Sequence, residues 1–185
     1  MLMTYYTVNS CGRSIVLIGM TGAGKSAVGR CLQRRTKLVL LDTDEIVASK
    51  FGVSILEIFS RYGEQAFREA ETQALRDLTT TQQTVIVTGG GIVSREENVG
   101  FLKRLGVVVW LDGKEATLFE RASQAPTRPL LQGENPREAF TQMIQARLPL
   151  YAKVAHIRFD TSVLTEDEVA VAILSKLRGI GTIGE

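Results

Sequence analysis

The residues with the clearest capacity for chemistry form the segment GMTGAGKS, residues 19–26, which fits the spacing G-x-x-x-x-G-K-[ST]. An apolar run precedes this segment and an amphipathic run follows it, which is the strand-to-helix setting that the motif requires. Glycines permit backbone torsions that let successive N–H groups surround phosphate oxygens, and the start of a helix adds a partial positive charge. The segment therefore predicts a binding loop for a nucleoside triphosphate.

Within this phosphate loop, the side chains of Lys25 and Ser26 have separate predicted roles. We expect the lysine to reach the β- and γ-phosphates and the serine hydroxyl to ligate Mg²⁺. The other predicted contacts of this loop with ATP come from Gly22, Ala23, Gly24 and Ala27. The alternative is a glycine-rich turn that binds nothing, and the full match of the motif together with its flanks argues against it.

Two aspartates, Asp42 and Asp44, follow the second apolar run in the segment LLDTDEI. Ligands of open α/β sheets bind at the carboxyl ends of the strands, where these carboxylates are expected to lie. They could hold Mg²⁺ through water or accept a proton from an attacking hydroxyl. The alternative is that Asp44 caps the following helix, a common role for aspartate, and the residues alone favour neither interpretation.

Glu64, Arg68 and Glu71 lie four and three positions apart in the segment YGEQAFREAE, so they share one helix face. In isolation, an ordinary surface ion pair is the favoured interpretation. Phe67 precedes the arginine, however, and a guanidinium held by a carboxylate is well suited to binding the carboxylate of a substrate with two hydrogen bonds. Both a surface ion pair and a substrate clamp remain open at this point.

Three consecutive glycines, Gly89, Gly90 and Gly91, follow the apolar run VIVT. Glycines at the end of a strand allow a ligand to lie directly against the backbone, so a substrate contact is predicted here. The alternative is a flexible turn. Further along the chain, residues 124–136 contain three of the four prolines and match no strand or helix pattern, which predicts a loop long enough to act as a lid.

Alternating strand and helix patterns position these residues. The predicted strands are residues 14–18, 38–41, 84–87, 107–111 and 156–159. The predicted helices are residues 25–35, 44–50, 55–62, 64–79, 95–105, 114–123, 136–151 and 165–177. The first four strands are apolar nearly throughout, as expected of parallel strands covered on both faces. The alternation predicts an α/β fold in which helices cover both faces of a parallel sheet.

The composition narrows the class of protein. A chain of 185 residues with 44% hydrophobic residues predicts a single domain, with a loose leader at 1–12 and a frayed tail at 179–185. The net charge of +2 and the scattered basic residues argue against nucleic acid as a partner. Two cysteines are too few for a disulfide framework, and the sequence shows neither a secretory signal nor a membrane-spanning run. A cytoplasmic location is therefore expected.

Taken in order, the motifs GxxGxGKS, DTD, FRxxE, TGGG and RPLL make the chain resemble the shikimate kinases from about residue 13 to residue 177. The resemblance implies a monomeric enzyme that uses ATP and Mg²⁺ to phosphorylate the 3-hydroxyl of shikimate, a step towards chorismate and the aromatic amino acids. It also implies the three-layer α/β/α P-loop kinase fold, with a five-stranded parallel sheet, a substrate-binding helical region and a lid.

The resemblance also implies roles for individual residues. Asp42 would hold Mg²⁺ through water, and Asp44 would bind the shikimate hydroxyls and act as the candidate base. Arg68, oriented by Glu71, and Arg147 would bind the shikimate carboxylate, while Gly89, Gly90 and Gly91 would line the pocket. Arg121 would lie over the adenine and Arg128 of the lid would reach the transferring phosphoryl group. The positions of these residues are read from the sequence.

Four alternatives to a shikimate kinase are considered, and the residues bear on each of them. Another small-metabolite kinase of the same fold, such as a gluconate kinase, is opposed by the FRxxE and TGGG motifs together. A nucleoside monophosphate kinase is disfavoured because the acids and Arg68 suit a hydroxylated acid better than a base. A non-catalytic nucleotide-binding module should lack Lys25, Asp44 or the lid arginine, and a GTPase should carry an NKxD segment, which this sequence does not contain.

Overall fold

The computed structural model describes residues 13–78, 82–124 and 134–181, with side chains as far as residue 179. The strands in these ranges are β1 (Ser14–Ile18), β2 (Val39–Asp42), β3 (Thr84–Val87), β4 (Gly106–Asp112) and β5 (Ile157–Asp160). The α-helices are α1 (Lys25–Thr36), α2 (Thr43–Phe51), α3 (Ile55–Asp77), α4 (Glu96–Leu105), α5 (Glu115–Ser123), α6 (Pro136–Val154) and α7 (Glu166–Gly181). A single 3₁₀ turn, Ile92–Ser94, precedes α4.

The five strands form one parallel sheet in the order β2-β3-β1-β4-β5, which confirms the predicted fold class. β1 lies at the centre, with Val16 beside Ile86 on one side and Val108 on the other. Every residue of β1 and β4 is buried, which explains why their sequences are apolar without alternation. Because β3 lies between β1 and β2, the loops that follow these three strands meet at one edge of the sheet.

The helices cover both faces of the sheet and approach it closely where small residues allow. On α1, a Cβ atom at Gly29 would lie 2.7 Å from Cγ2 of Val87, so the helix rests directly on β3 at this point. On β4, the ring of Trp110 stacks on Tyr151 of α6, with 5.8 Å between the ring centroids. These contacts fix α1 and α6 against the strands whose ends carry the site.

Several boundaries differ from the sequence predictions. The two helices predicted at 55–62 and 64–79 occur as the two arms of α3, which breaks at Gly63, where φ is 81° and ψ is 169°. α7 continues through Gly181 and so enters the segment predicted as a tail. The predicted leader, residues 125–133 of the predicted lid and the lid arginine Arg128 lie outside the described residues.

Two further features of the structure bear on function. Among the helices that the structure describes, none is long and apolar enough to cross a membrane. The only histidine of the sequence, His156, accepts a hydrogen bond at Nδ1 from the backbone N–H of Val108, at 2.9 Å. It therefore ties the residue before β5 to β4, which is a structural role.

Candidate functional site

The phosphate loop follows β1 and bends through glycines with positive φ angles, 144° at Gly19, 83° at Gly22 and 81° at Gly24. A side chain at Gly22 would clash with the carbonyl oxygen of Leu118 in α5 as well as requiring a strained backbone. Gly24 precedes the first residue of α1. The loop therefore presents its amides together with the positive end of a helix, as the motif predicts.

Lys25 is buried within the loop, where its Nζ atom donates to the carbonyl oxygens of Gly19 at 2.8 Å and Met20 at 3.0 Å. The loop borders an open cleft of about 330 Å³. The cleft is lined by Gly22, Gly24, Lys25, Ser26, Ala27, Arg121 and Glu166. The side chain of Ala23, by contrast, is buried in the core, so only its backbone could contribute to phosphate binding.

Arg121 of α5 also lines this cleft. Its Nη1 atom donates to the carbonyl oxygen of Thr161 at 3.1 Å, which anchors the guanidinium to the loop after β5. The sequence predicted an adenine contact for this arginine. The structure brings it together with the phosphate loop, and the contact with adenine stays a prediction.

Ser26, in the first turn of α1, and Asp42, the last residue of β2, are the two predicted metal ligands, and 3.5 Å separates Ser26 Oγ from Asp42 Oδ2. The other oxygen of Asp42, Oδ1, accepts the backbone N–H of Asp44 at 2.9 Å and caps α2. The capping role considered for Asp44 is thus filled by Asp42 instead. Thr43, between the two aspartates, is fully buried and accepts the backbone N–H of Gly89 at 3.2 Å.

A second group of charged side chains lies beside the glycine turn that follows β3. A Cβ atom at Gly89 would lie 2.5 Å from Glu71 Oε1 and 2.6 Å from Asp44 Oδ1, and one at Gly91 would clash with the guanidinium of Arg68. These glycines therefore make room for the protein's own carboxylates and guanidinium. The sequence predicted that a substrate would contact this backbone; the structure shows side chains of the protein beside it, and the substrate contact stays a prediction.

Arg68 joins two carboxylates of very different exposure. Its Nη1 atom lies 2.6 Å from Glu71 and its Nη2 atom 2.9 Å from Glu64. The side chain of Glu71 is 1% exposed and that of Arg68 is 12% exposed, whereas Glu64 is 52% exposed. The pair of Arg68 with Glu64 is the surface ion pair considered from the sequence, whereas the pair with Glu71 is buried.

Arg147 of α6 belongs to the same electrostatic environment. Its Nη1 atom lies 3.9 Å from the sulfur of Met20 in the phosphate loop. Burial lowers the pKa of Arg147, and the positive charge of Arg68 adds to this effect, while the carboxylates of Glu64 and Glu71 oppose it. The structure thus places both predicted carboxylate-binding arginines close enough to interact.

The carboxyl group of Glu71 has a strongly shifted pKa. Burial and, to a smaller extent, the nearby carboxylate of Asp44 raise this pKa from its ordinary value of 4.5 to about 7, against the opposing charges of Arg68 and Arg147. Within the described residues, Oε1 of Glu71 is buried and accepts no hydrogen bond. Two carboxyl groups and two guanidinium groups therefore interact within one largely buried group of side chains.

The shifted pKa predicts a pH dependence of stability. Because the pKa is higher in the folded chain, protonation of Glu71 stabilises the fold below pH 4.5, and this contribution disappears as the pH rises through about 7. Glu71→Gln has no proton to lose. As the pH rises from about 4.5 to 7.5, the free energy of unfolding of Glu71→Gln should therefore increase relative to that of the wild type by up to about 3 kcal/mol.

Thermal or urea unfolding across this pH range measures the difference. Glu69→Gln is the matched control, because Glu69 lies on the same helix with 57% of its side chain exposed and should follow the wild type at every pH. Parallel profiles for Glu71→Gln and the wild type would contradict the assignment of the shifted proton to Glu71.

Tyr151 is a member of this site that the sequence analysis did not identify. It is fully buried on α6, and its hydroxyl donates to the carbonyl oxygen of Gly90 at 2.5 Å. The available signal was its spacing, since Tyr151 lies four residues after Arg147 and so shares its helix face. Spacing alone does not reveal the partner, which is 61 residues away in the sequence.

This arrangement suits group transfer between two bound molecules. The cleft at the phosphate loop fits a nucleoside triphosphate, and the pocket beyond it offers two guanidinium groups for an anion and a carboxylate, Asp44, for a hydroxyl. Both lie at the carboxyl edge of the sheet, where the glycine turn of the pocket approaches the phosphate loop at Thr21. This arrangement suits the transfer of a phosphoryl group from one bound molecule to the other.

Comparison with known sequences points to one family. A sequence model described as shikimate kinase matches residues 21–178. A shikimate kinase from Thermodesulfovibrio yellowstonii is 42% identical over 164 residues, which cover 89% of this chain and 94% of that protein. The range matched by the family model includes the phosphate loop from Thr21 onwards and Asp44, Arg68, Glu71, Arg147 and Tyr151 of the pocket.

Comparison with solved structures points to the same family as comparison with known sequences. The shikimate kinase of Acinetobacter baumannii, solved in complex with shikimate, superposes with a TM-score of 0.86 and 36% identity, covering 94% of each chain. A gluconokinase from Sinorhizobium meliloti reaches a TM-score of 0.52 at 18% identity, over 93% of this chain and 95% of that one. The second likeness is one of fold alone.

Proposed function

This chain belongs to the shikimate kinase family, and from that premise we propose which of its residues transfer the γ-phosphoryl group of ATP to the 3-hydroxyl of shikimate. The enzyme is an ATP-dependent small-molecule kinase, and its products are shikimate 3-phosphate and ADP. The observation that carries the assignment of the pocket is the buried pair of Arg68 and Glu71 beside Asp44 and Arg147. A gluconate kinase-like activity has support only at the level of the fold.

On the nucleotide side, the loop amides and Lys25 bind the phosphates, and Arg121 contacts the adenine. Phosphoryl transfer requires little covalent chemistry from the protein, so catalysis consists mainly of alignment and of charge neutralisation on the phosphoryl oxygens. Lys25 already lies inside the loop, next to the carbonyl oxygens of Gly19 and Met20. The roles of Arg128 and of a lid at 124–136, which would exclude water on closing, stay predictions.

Ser26 and Asp42 suit Mg²⁺, which prefers oxygen ligands and keeps several waters when it is bound with a nucleotide. The described residues include no group of three or more histidine, cysteine and acidic side chains that could hold a metal, which fits an ion held mainly by phosphates and water. Mg²⁺ bound with ATP would supply positive charge at the β- and γ-phosphates. Ser26 would ligate it directly and Asp42 through water.

Removing the serine hydroxyl tests this site. Ser26→Ala should raise the Mg²⁺ concentration needed for half-maximal activity by about tenfold, because one oxygen ligand is lost. Ser26→Thr keeps the hydroxyl and serves as the control. Titration of activity against Mg²⁺ at saturating ATP measures this requirement. An unchanged requirement in Ser26→Ala would show that Ser26 is not a ligand.

On the acceptor side, Arg68 and Arg147 bind the carboxylate of shikimate, and Asp44 binds its hydroxyls. Glu71 holds the Arg68 guanidinium by Nη1 and so fixes the face that the arginine presents to the substrate. An uncharged sugar would bring no carboxylate to the two guanidinium groups of a closed pocket, which disfavours its binding relative to shikimate. The glycine turn, residues 89–91, lines the pocket because it carries no side chains.

A coupled assay of ADP release tests the function directly. Shikimate, quinate, gluconate and nucleoside monophosphates are supplied in turn as acceptors, and shikimate should give the highest kcat/KM by a wide margin. Highest turnover with gluconate would favour the other small-metabolite kinase, and nucleotide binding without turnover would favour a non-catalytic module. A monomeric state in solution and a cytoplasmic location stay predictions.

A further inference from the structure

We propose that Tyr151 is a positioning residue that connects the acceptor pocket to the phosphate loop, so that donor and acceptor are held in register for phosphoryl transfer. The kinetic part of this inference rests on the proposed function. The structural part, a link made by one phenolic hydroxyl, does not.

The hydroxyl of Tyr151 contacts both sides of the site. It donates to the carbonyl oxygen of Gly90 at 2.5 Å, within the glycine turn of the acceptor pocket. It also lies 3.9 Å from the sulfur of Met20, a residue of the phosphate loop. Nη1 of Arg147 lies at the same distance from that sulfur, so the arginine and the tyrosine meet the loop at one atom.

The glycine turn and the phosphate loop are themselves in close contact. A Cβ atom at Gly90 would lie only 3.2 Å from the backbone nitrogen of Thr21, so a side chain could not be placed between them easily. The neighbouring glycines on either side of Gly90 pack against Glu71, Asp44 and Arg68. A rotation of the peptide at Gly90 would therefore be passed to the residues that bind the acceptor.

Tyr151 is held rigidly enough to act as such a link. Its ring stacks on Trp110 of β4 with an interplanar angle of 27°, and the residue is fully buried. Burial raises the pKa of the phenol above its ordinary range, so the hydroxyl remains a neutral donor at all working pH values. Without the hydroxyl, the carbonyl oxygen of Gly90 would lose the donor that orients it.

Tyr151→Phe removes this hydroxyl and keeps the ring. We expect kcat/KM for shikimate to fall by about 10- to 100-fold, because small misplacements of a reacting group are costly in transfer reactions. The affinity for ATP, measured by calorimetry, should stay within about twofold of the wild type, since the phosphate loop keeps its own contacts. A residue with only a packing role would not produce this separation.

Phe140→Leu is the matched control for packing. Phe140 is buried on the same helix and packs on Phe119, with 5.5 Å between the ring centroids. This variant should lower the melting temperature at least as much as Tyr151→Phe, yet keep kcat/KM for shikimate within about twofold of the wild type. An equal kinetic loss in both variants would overturn the positioning role.

Hydrogen exchange provides a measurement that needs no substrate. In Tyr151→Phe, the backbone amides of residues 89–92 should exchange faster than in the wild type, while those of β1 keep their protection. Unchanged exchange in the turn, or an unchanged kcat/KM for shikimate, would overturn the inference. If exchange in the turn is faster in Tyr151→Phe, as expected, but the wild-type enzyme does not phosphorylate shikimate, the structural link stands and the proposed function is contradicted.

Discussion

Replacing Asp44 by asparagine is expected to lower kcat for shikimate by about 10²- to 10⁴-fold, while the fold and the affinity for ATP are retained. Asp44 lies at the start of α2, where its Oδ1 atom faces the glycine turn together with Glu71. Asparagine has the same size and keeps one oxygen, but it carries no charge and cannot accept a proton. The loss would therefore fall on the transfer step.

The structure gives a reason to expect a stable variant. The N-terminus of α2 is capped by Asp42, not by Asp44, so the substitution leaves the cap in place. It also removes a carboxylate that lies near Glu71 and raises its pKa. Asp44→Asn should consequently unfold at a temperature no lower than the wild type, and circular dichroism on heating measures this.

Glu45→Gln is the matched control, because Glu45 is the next residue of α2 and is exposed. It should keep kcat and both KM values. The informative comparison is between kcat and the KM for shikimate in Asp44→Asn. A raised KM with an unchanged kcat would show that Asp44 only orients the acceptor hydroxyl, and it would contradict a role as proton acceptor.

Much of the fold follows from local sequence signals. The phosphate loop was predictable because its glycines, lysine and serine have fixed spacing between a strand and a helix, and the structure shows the expected positive φ angles at Gly19, Gly22 and Gly24. The helix break at Gly63 was predictable for the same reason, since glycine adopts torsions that a helix excludes. Continuous apolar strands indicated a sheet covered on both faces.

The parts of the site that depend on distant residues were harder to predict. In DTD, either aspartate is chemically able to cap α2, and only the folded backbone determines that Asp42 does so. The spacing of Glu64, Arg68 and Glu71 is the same for a surface pair and a buried one. Which carboxylate becomes buried depends on the packing of α3 against the glycine turn, and that packing is not encoded in the local pattern.

Arg68→Ala is expected to lower kcat/KM for shikimate by about 10²- to 10³-fold while the KM for ATP changes little. The side chain is 12% exposed and its guanidinium is held by Glu71, so it is positioned before the substrate arrives. Its removal also leaves Glu71 buried without its cationic partner. The carboxyl group would then take up a proton at neutral pH, which limits the loss of stability.

Arg61, a second arginine of α3 that pairs with a glutamate, provides the control for Arg68. Arg61 pairs with Glu57 at 3.0 Å with the same spacing of four residues, but its side chain is 57% exposed. If the sequence spacing alone mattered, Arg61→Ala and Arg68→Ala would have similar, small effects of less than about 1 kcal/mol. Because burial and the position beside Asp44 distinguish the two arginines, Arg61→Ala should match the wild type in every kinetic constant.

Two results would contradict the role of Arg68. An equal loss of ATP and shikimate affinity would indicate a general folding defect, and an unchanged KM for shikimate would return Arg68 to a purely structural ion pair. Arg68→Lys refines the comparison, since it keeps the charge and loses the planar group that can form two parallel hydrogen bonds with a carboxylate. An intermediate kcat/KM for shikimate in this variant would show that geometry, and not charge alone, gives the pocket its preference for a carboxylate.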